Sequence, residues 1–181
     1  MTRLFFFLYS WLIFAPLMAA TTLLAGLTCL LLIPFLPADK VAKLSAIPWA
    51  KLCLLYSGVR VDVDGRHHLL PGQSYVIVAN HLSQFDIFVL YGYLGVDFRW
   101  VMKHELRKVP IIGICCEKLG HVFINRDNTE AAIASLNAAR AQLANGASVL
   151  FFPEGTRSRD GQLKPFKKGA FKMAQELRIP V

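Results

Sequence analysis

Residues Tyr75 to Asp86 read "YVIVANHLSQFD". The first five, Tyr75-Val76-Ile77-Val78-Ala79, form an unbroken apolar run, as expected of a strand buried on both faces of a sheet. The run stops at Asn80, and His81 and Asp86 follow with four residues between them. Asp86 to Leu94 then has helical character. A buried strand feeding a helix is the first half of a βαβ unit, so the question is whether further strands and helices alternate behind it.

They do. "FRWVM" (Phe98–Met102), "HVFIN" (His121–Asn125) and "SVLFF" (Ser148–Phe152) have strand character, and "VRVDVDG" (Val59–Gly65) alternates apolar and charged residues like a half-exposed strand. Between "HVFIN" and "SVLFF", "DNTEAAIASLNAARAQLANG" predicts a helix. Asp127 and Glu130 have capping-box spacing, Ile133, Leu136, Ala139 and Leu143 share a face, and Gly146 is the stop. Pro48–Tyr56 and Ala170–Leu177 are shorter helix candidates, whereas Val109–Gly120 is apolar and turn-rich. Strands alternating with helices predict an α/β fold with a mostly parallel sheet flanked by helices. "RIPV" (Arg178–Val181) starts one more strand, which predicts that the sheet continues in sequence beyond Val181.

The 181 residues suffice for one core of ordinary size, and 55% of them are apolar. The apolar excess is localised. From Leu4 to Ala38 no residue is charged, a run longer than the about 20 residues of one membrane span and longer than a signal peptide's apolar region. We expect residues 1–57 to be a membrane-anchoring segment and residues 58–181 an α/β domain. Arg3 before the run and Lys40, Lys43 and Lys51 after it favour a re-entrant helical hairpin, with Pro16 and Gly26 as places to bend. A single tilted helix with an interfacial tail fits as well.

All 12 Asp+Glu but only 19 of the 20 Lys+Arg lie beyond residue 38, so the remainder carries a net charge of +7. Such a balance points to an anionic partner, and beside an anchor lipid phosphate is the simplest one. No zinc-finger spacing, basic heptad helix or RNA-binding signature argues for nucleic acid. The four cysteines, Cys29, Cys53, Cys115 and Cys116, have neither metal-ligand nor disulfide-framework spacing and read as buried apolar residues in a reducing compartment.

Two stretches carry chemistry. Ser83 and Asp86 also have capping-box spacing, so a helix start accounts for Asp86 and leaves His81 unexplained. A histidine at the C-terminal end of a buried strand stands where open α/β sheets place ligands. A carboxylate on one ring nitrogen would leave the other as a base. Read alone, catalysis and a plain helix start are equally compatible with the pair. The second stretch is "FFPEGTRS" (Phe151–Ser158) at the end of another buried strand. Gly155 lets backbone approach a ligand, Arg157 can grip a phosphate with two hydrogen bonds, and Glu154 could orient that arginine or bind hydroxyls. Lys103 and Arg126 follow the other two strand candidates.

Together these residues resemble the glycerolipid acyltransferase family, in particular bacterial 1-acylglycerol-3-phosphate acyltransferases, over most of the chain from about Val59 onward. Asn80–Asp86 is similar to its histidine-four-residues-aspartate block, and Lys103-His104-Glu105-Leu106 with Pro110 and Gly113 to its second. "GHVFINR" (Gly120–Arg126) and "FPEGTRS" are similar to the two that follow, while the family's last, hydrophobic-proline block would begin at Ile179-Pro180. The resemblance implies transfer of an acyl group from a thioester to the free hydroxyl of lysophosphatidic acid, giving phosphatidic acid. It implies His81 as general base and Asp86 as its orienting carboxylate. Lys103, Arg126 and Arg157 would contact the acceptor's phosphate, while Glu154, Gly155 and Thr156 shape its site. No cofactor or metal is implied beyond acyl-CoA or acyl carrier protein as the donor. A thioester is already activated, so one base suffices, and the chain has no Gly-x-Ser-x-Gly elbow; Ser83 reads as a helix cap. Lys167, Lys168 and Lys172 would face anionic headgroups or the donor's phosphates. The expected place is the bacterial inner membrane, with the active site facing the cytoplasm. Another lysophospholipid, glycerol 3-phosphate or a lyso-aminolipid as acceptor stays open, as does a non-catalytic lipid-binding protein.

Overall fold

The computed structural model describes residues 2–125, 128–143, 146–158 and 160–181. The chain forms two compact units, Met1–Asp64 with Ile87–Gly95, and Gly65–Asp86 with Val96–Val181.

The first unit is helical. Helix α1 (Thr2–Tyr9) runs through a wider π-type stretch, Ser10–Phe14, into α2 (Ala15–Leu32). The widening precedes Pro16, which has no N–H to close an ordinary helical turn. The run Arg3–Leu32 is long and apolar enough to cross a membrane, and almost none of it is buried within the protein. After residues 33–37 come α3 (Ala38–Leu44) and α4 (Ala46–Tyr56). Helix α4 runs back along α2: Trp49 Nε1–H donates to Thr22 Oγ1 at 2.9 Å, and the Tyr9 hydroxyl donates to the Tyr56 carbonyl. The apolar run is thus helical without a break to Leu32, with no bend at Pro16 or Gly26 of the kind the re-entrant reading expected, and the chain reverses only after it, around Pro34 and Pro37. Gly26 lies inside α2, where a missing side chain weakens a helix without breaking it. Within the same unit Trp49 packs edge-on against Phe88, with ring centroids 5.1 Å apart.

The second unit holds a parallel sheet of β1 (Val76–Val78), β2 (Phe98–Lys103), β3 (Val122–Ile124) and β4 (Ser148–Phe151). Its order is β1-β4-β2-β3, with Val76 opposite Val149, Phe98 opposite Ser148 and Val101 opposite Val122. Helix α5 (Phe85–Tyr93) links β1 to β2, α6 (Ile112–Lys118) links β2 to β3, α7 (Thr129–Leu143) leads to β4, and α8 (Gly169–Leu177) follows. Val76, Val101, Val122 and Val149, one from each strand, are buried with Met173 and Ala174 of α8. The α/β prediction is thus met.

Three local readings change. Val59–Gly65 is no strand: it is irregular backbone, and its valines 59 and 63 are exposed, so the alternation buries no apolar side there. Val109–Gly120, read as turns, contains α6. Gly113 is needed there because a Cβ on it would lie 2.1 Å from the Arg107 carbonyl oxygen. Before it, Ile111 sits at φ +64°, a strained γ-turn for a β-branched residue, closed by Ile112 N–H to Pro110 O at 2.6 Å. Helix α7 is capped by Asn128, whose Oδ1 accepts from Ala131 N–H at 3.0 Å. Asp127, expected in that role, lies outside the described residues, as do the side chains of Ile133, Ala139 and Leu143. "RIPV" is not paired over its length, yet the Pro180 carbonyl accepts from Val76 N–H at 2.9 Å on the free edge of β1.

Candidate active site

Because β1 and β4 are parallel neighbours, the loops that leave their C-terminal ends lie side by side. The ladder continues one step into them, with Ala79 N–H donating to Phe151 O at 3.1 Å. His81 then leaves β1, and Phe152 to Ser158 leave β4.

Asp86 Oδ2 lies 2.8 Å from His81 Nδ1. The same oxygen accepts the backbone N–H groups of Leu82 at 2.8 Å and Ser83 at 2.9 Å. Asp86 occupies the first turn of α5, where the helix dipole favours a carboxylate. The two readings of the sequence therefore describe one group: Asp86 closes the helix start and also faces the imidazole. Ser83 is the cap, its Oγ accepting from Phe85 N–H at 3.2 Å. A carboxylate facing Nδ1 assigns the proton of the neutral ring to Nδ1 and leaves Nε2 with a free lone pair. The His81 side chain is 14% exposed.

The β4 loop grips the main chain of His81 twice. Glu154 Oε1 accepts His81 N–H at 2.9 Å, and Ser158 N–H donates to His81 O at 2.8 Å. The other oxygen of Glu154 accepts Lys164 N–H at 3.1 Å. These two backbone donors, His81 first, hold the buried Glu154 carboxyl below its usual range. Glu154 thus ties loops together, whereas the sequence reading gave it to Arg157 or to substrate hydroxyls. Gly155, at φ +74°, turns the loop, and the Lys167 side chain comes within 3.0 Å of where a Cβ would stand on it.

The remaining candidates are looser. Thr156 and Arg157 are exposed, and the Arg157 carbonyl accepts from Lys164 Nζ at 2.9 Å. Lys103 ends β2 at the same edge of the sheet as His81, and its ammonium pairs with Glu105 at 3.3 Å. Arg126 lies outside the described residues. Sequence reasoning missed Ser158 and Lys164, whose backbone N–H groups close on His81 and Glu154 across loops, and Phe152, whose ring lies on His81. Only the placement of Phe152 next to "PEGTRS" offered a signal for it.

Two other titratable groups stand apart from this chemistry. Burial pushes His121 down to about 3, with Arg99 adding to it, and burial pushes the Cys116 thiol up to about 12, with Cys115 adding. A thiol so rarely ionised is a poor nucleophile.

Residues 60–181 match the family model described as Acyltransferase. The chain belongs to the acyltransferase family. Among its relatives, "1-acyl-sn-glycerol-3-phosphate acyltransferase alpha" of Homo sapiens is 38% identical over 125 residues, covering 68% of this chain and 44% of that protein. The "1-acyl-sn-glycerol-3-phosphate acyltransferase" of Borreliella burgdorferi is 32% identical over 124 residues, 68% of this chain and 50% of that protein. The chain therefore spans about half the length of such relatives. The crystal structure of the 1-acyl-sn-glycerophosphate (LPA) acyltransferase PlsC from Thermotoga maritima superposes with a TM-score of 0.67 at 26% identity, over 90% of this acyltransferase-family chain and 72% of that one.

Proposed function

We propose that this protein is a membrane-bound acyltransferase that moves a fatty acyl group from an acyl thioester to the sn-2 hydroxyl of lysophosphatidic acid, giving phosphatidic acid. The observation that carries the reading is the His81–Asp86 contact of 2.8 Å at the sheet's C-terminal edge, in a chain of this family. The names of the relatives, bacterial and animal, supply the acceptor.

In this reading, His81 Nε2 takes the proton of the acceptor hydroxyl as its oxygen attacks the thioester carbonyl. The C–S bond then breaks, the imidazolium returns the proton to the departing sulfur, and an ester and a free thiol result. Asp86 fixes the tautomer and offsets the charge on the ring. General bases of this kind contribute typically ~10²–10⁴-fold. Arg157, Thr156 and Gly155, with Lys103 and Arg126, receive the acceptor's phosphate, and Glu154 holds the base loop against theirs. No cofactor takes part; the donor is acyl-CoA or acyl carrier protein. Residues 1–57 anchor the protein in the bacterial inner membrane and 58–181 work at its cytoplasmic face, where acceptor and product reside.

The test uses detergent-solubilised protein supplied with acyl-CoA or acyl carrier protein thioester. Lysophosphatidic acid, glycerol 3-phosphate and a lyso-aminolipid are offered in turn, and lipid product and free thiol are both followed. Phosphatidic acid formed in step with thiol supports the reading. Product only from another acceptor, or thiol without lipid product, sinks it.

A further inference from the structure

The His81 imidazole lies flat on the ring of Phe152, with centroids 3.8 Å apart and planes at 11°. Phe152 is itself stacked on Trp100 at 5.6 Å and 28°, and Trp100 meets Phe98 edge-on at 5.1 Å. Phe152 follows β4 and Trp100 lies in β2, the strand beside it, so the column of rings stands on adjacent strands. We propose that Phe152 is a positioning residue for acyl transfer: its π-face sets the plane of the His81 ring and stabilises the imidazolium formed as His81 takes the hydroxyl proton. This rests on the general-base reading of His81.

Two physical points carry it. A single hydrogen bond to Asp86 at Nδ1 leaves the imidazole free to tilt about that contact, and a parallel ring removes the tilt. The main chain of His81 is already held by Glu154 Oε1 and by Ser158 N–H, so the aromatic face is not needed to hold the loop. Any apolar side chain of similar volume would serve packing. The second point is charge. Over an aromatic face a neutral imidazole gains mainly dispersion, whereas a cation within about 6 Å of the centroid is drawn to the ring's quadrupole, more strongly where water is kept away. Because positive charge grows on the ring as His81 takes the hydroxyl proton, the attraction is stronger in the transition state than in the ground state. It therefore acts on kcat and spares KM.

The experiment compares the full chain in detergent as wild type, Phe152→Leu and His81→Ala, together with mono-, di- and trifluorophenylalanine at position 152. Fluorines drain the ring's face while keeping its shape, so the series stays informative even where the leucine variant folds poorly. Steady-state kcat, KM for both substrates and Tm are measured for each. We expect kcat to fall stepwise with each fluorine, by roughly tenfold at three and by a similar amount for Phe152→Leu, with KM within about twofold. Fluorinated proteins should keep the wild-type Tm. A kcat indifferent to fluorination, or one that falls only together with Tm and with a rising KM, overturns the inference. Activity lost in His81→Ala but unmoved by the fluorines overturns this inference alone. Transfer surviving in His81→Ala, or absent from wild type with every acceptor, removes the general-base reading and this one with it.

Discussion

The loop after β1 and the segment after β2 end at the same edge of the sheet and are built differently. Around His81 the polar groups are committed: Asp86 Oδ2 takes three donors, Glu154 takes two, and Ser158 N–H closes on the His81 carbonyl. After β2 the cations meet carboxylates in the open. Lys103 pairs with Glu105 at 3.3 Å with side chains 55% and 47% exposed, and Arg107 pairs with Glu117 at 3.3 Å. Exposed pairs of this kind are worth about 0–1 kcal/mol, so they open at little cost. The difference suits the two tasks that the proposed function assigns. A base would gain from being held before the substrate arrives, because ordering it later would cost rate, while a cation that receives a phosphate would have to exchange one anion for another.

The largest effect should come from breaking the committed loop at Asp86. In Asp86→Asn an amide NH₂ can face Nδ1 and invert the tautomer, and one acceptor for Leu82 and Ser83 is weakened. We expect kcat to fall by ~10²–10³-fold with the fold retained, checked by initial rates beside circular dichroism. A loss of tenfold or less would mean that Asp86 serves the helix start alone.

Gly113→Ala asks whether the open segment has a rigid end. A Cβ there would stand 2.1 Å from a backbone oxygen that cannot step aside. The expected loss is roughly 2–4 kcal/mol of stability, read as a drop in the chemical-denaturation midpoint in detergent. An unchanged midpoint would show that the β2–α6 connection yields.

Beneath both regions, His121 takes a 3.3 Å hydrogen bond from Trp100 N–H and is buried, with its pKa lowered to about 3 from 6.5. The unfolded chain binds a proton there below about 6.5 and the folded chain does not until about 3. Stability should therefore be flat in this term above pH 6.5 and fall as pH drops toward 3, by up to ~1.4 kcal/mol per pH unit within the window. Denaturation midpoints between pH 7 and 5 should slope down in wild type and less so in His121→Gln, a range above the titration of the carboxylates. Equal slopes would refute the burial argument.

The smallest effect belongs to Glu105→Ala. With its partner Lys103 more than half exposed, the denaturation midpoint should stay at the wild-type value. A shifted midpoint would erase the contrast between the two regions.

What the sequence disclosed follows from the range of the interactions. The strands β1, β2 and β4 were legible because parallel strands buried on both faces are largely apolar, even where β2 carries Arg99. The His81–Asp86 pair was legible because both residues sit in one turn. Val59–Gly65 deceived because alternation reports a capacity to be half-buried, and its valines 59 and 63 stay exposed instead. Helix α6 was hidden because Pro110 and Gly113 read as breakers, while the helix needs Gly113 for close passage under Arg107. Phe152 and Glu154 were misjudged or missed for another reason. What they do depends on β4 being laid beside β1, a pairing of residues more than seventy positions apart that no local pattern announces.

The central claim is that His81 is the base, and the most direct test is phosphatidic acid formation by purified His81→Ala beside wild type, at saturating thioester and lysophosphatidic acid. The account predicts a fall of at least ~10²-fold in kcat with the far-ultraviolet spectrum unchanged; a variant that makes phosphatidic acid at the wild-type rate would contradict it.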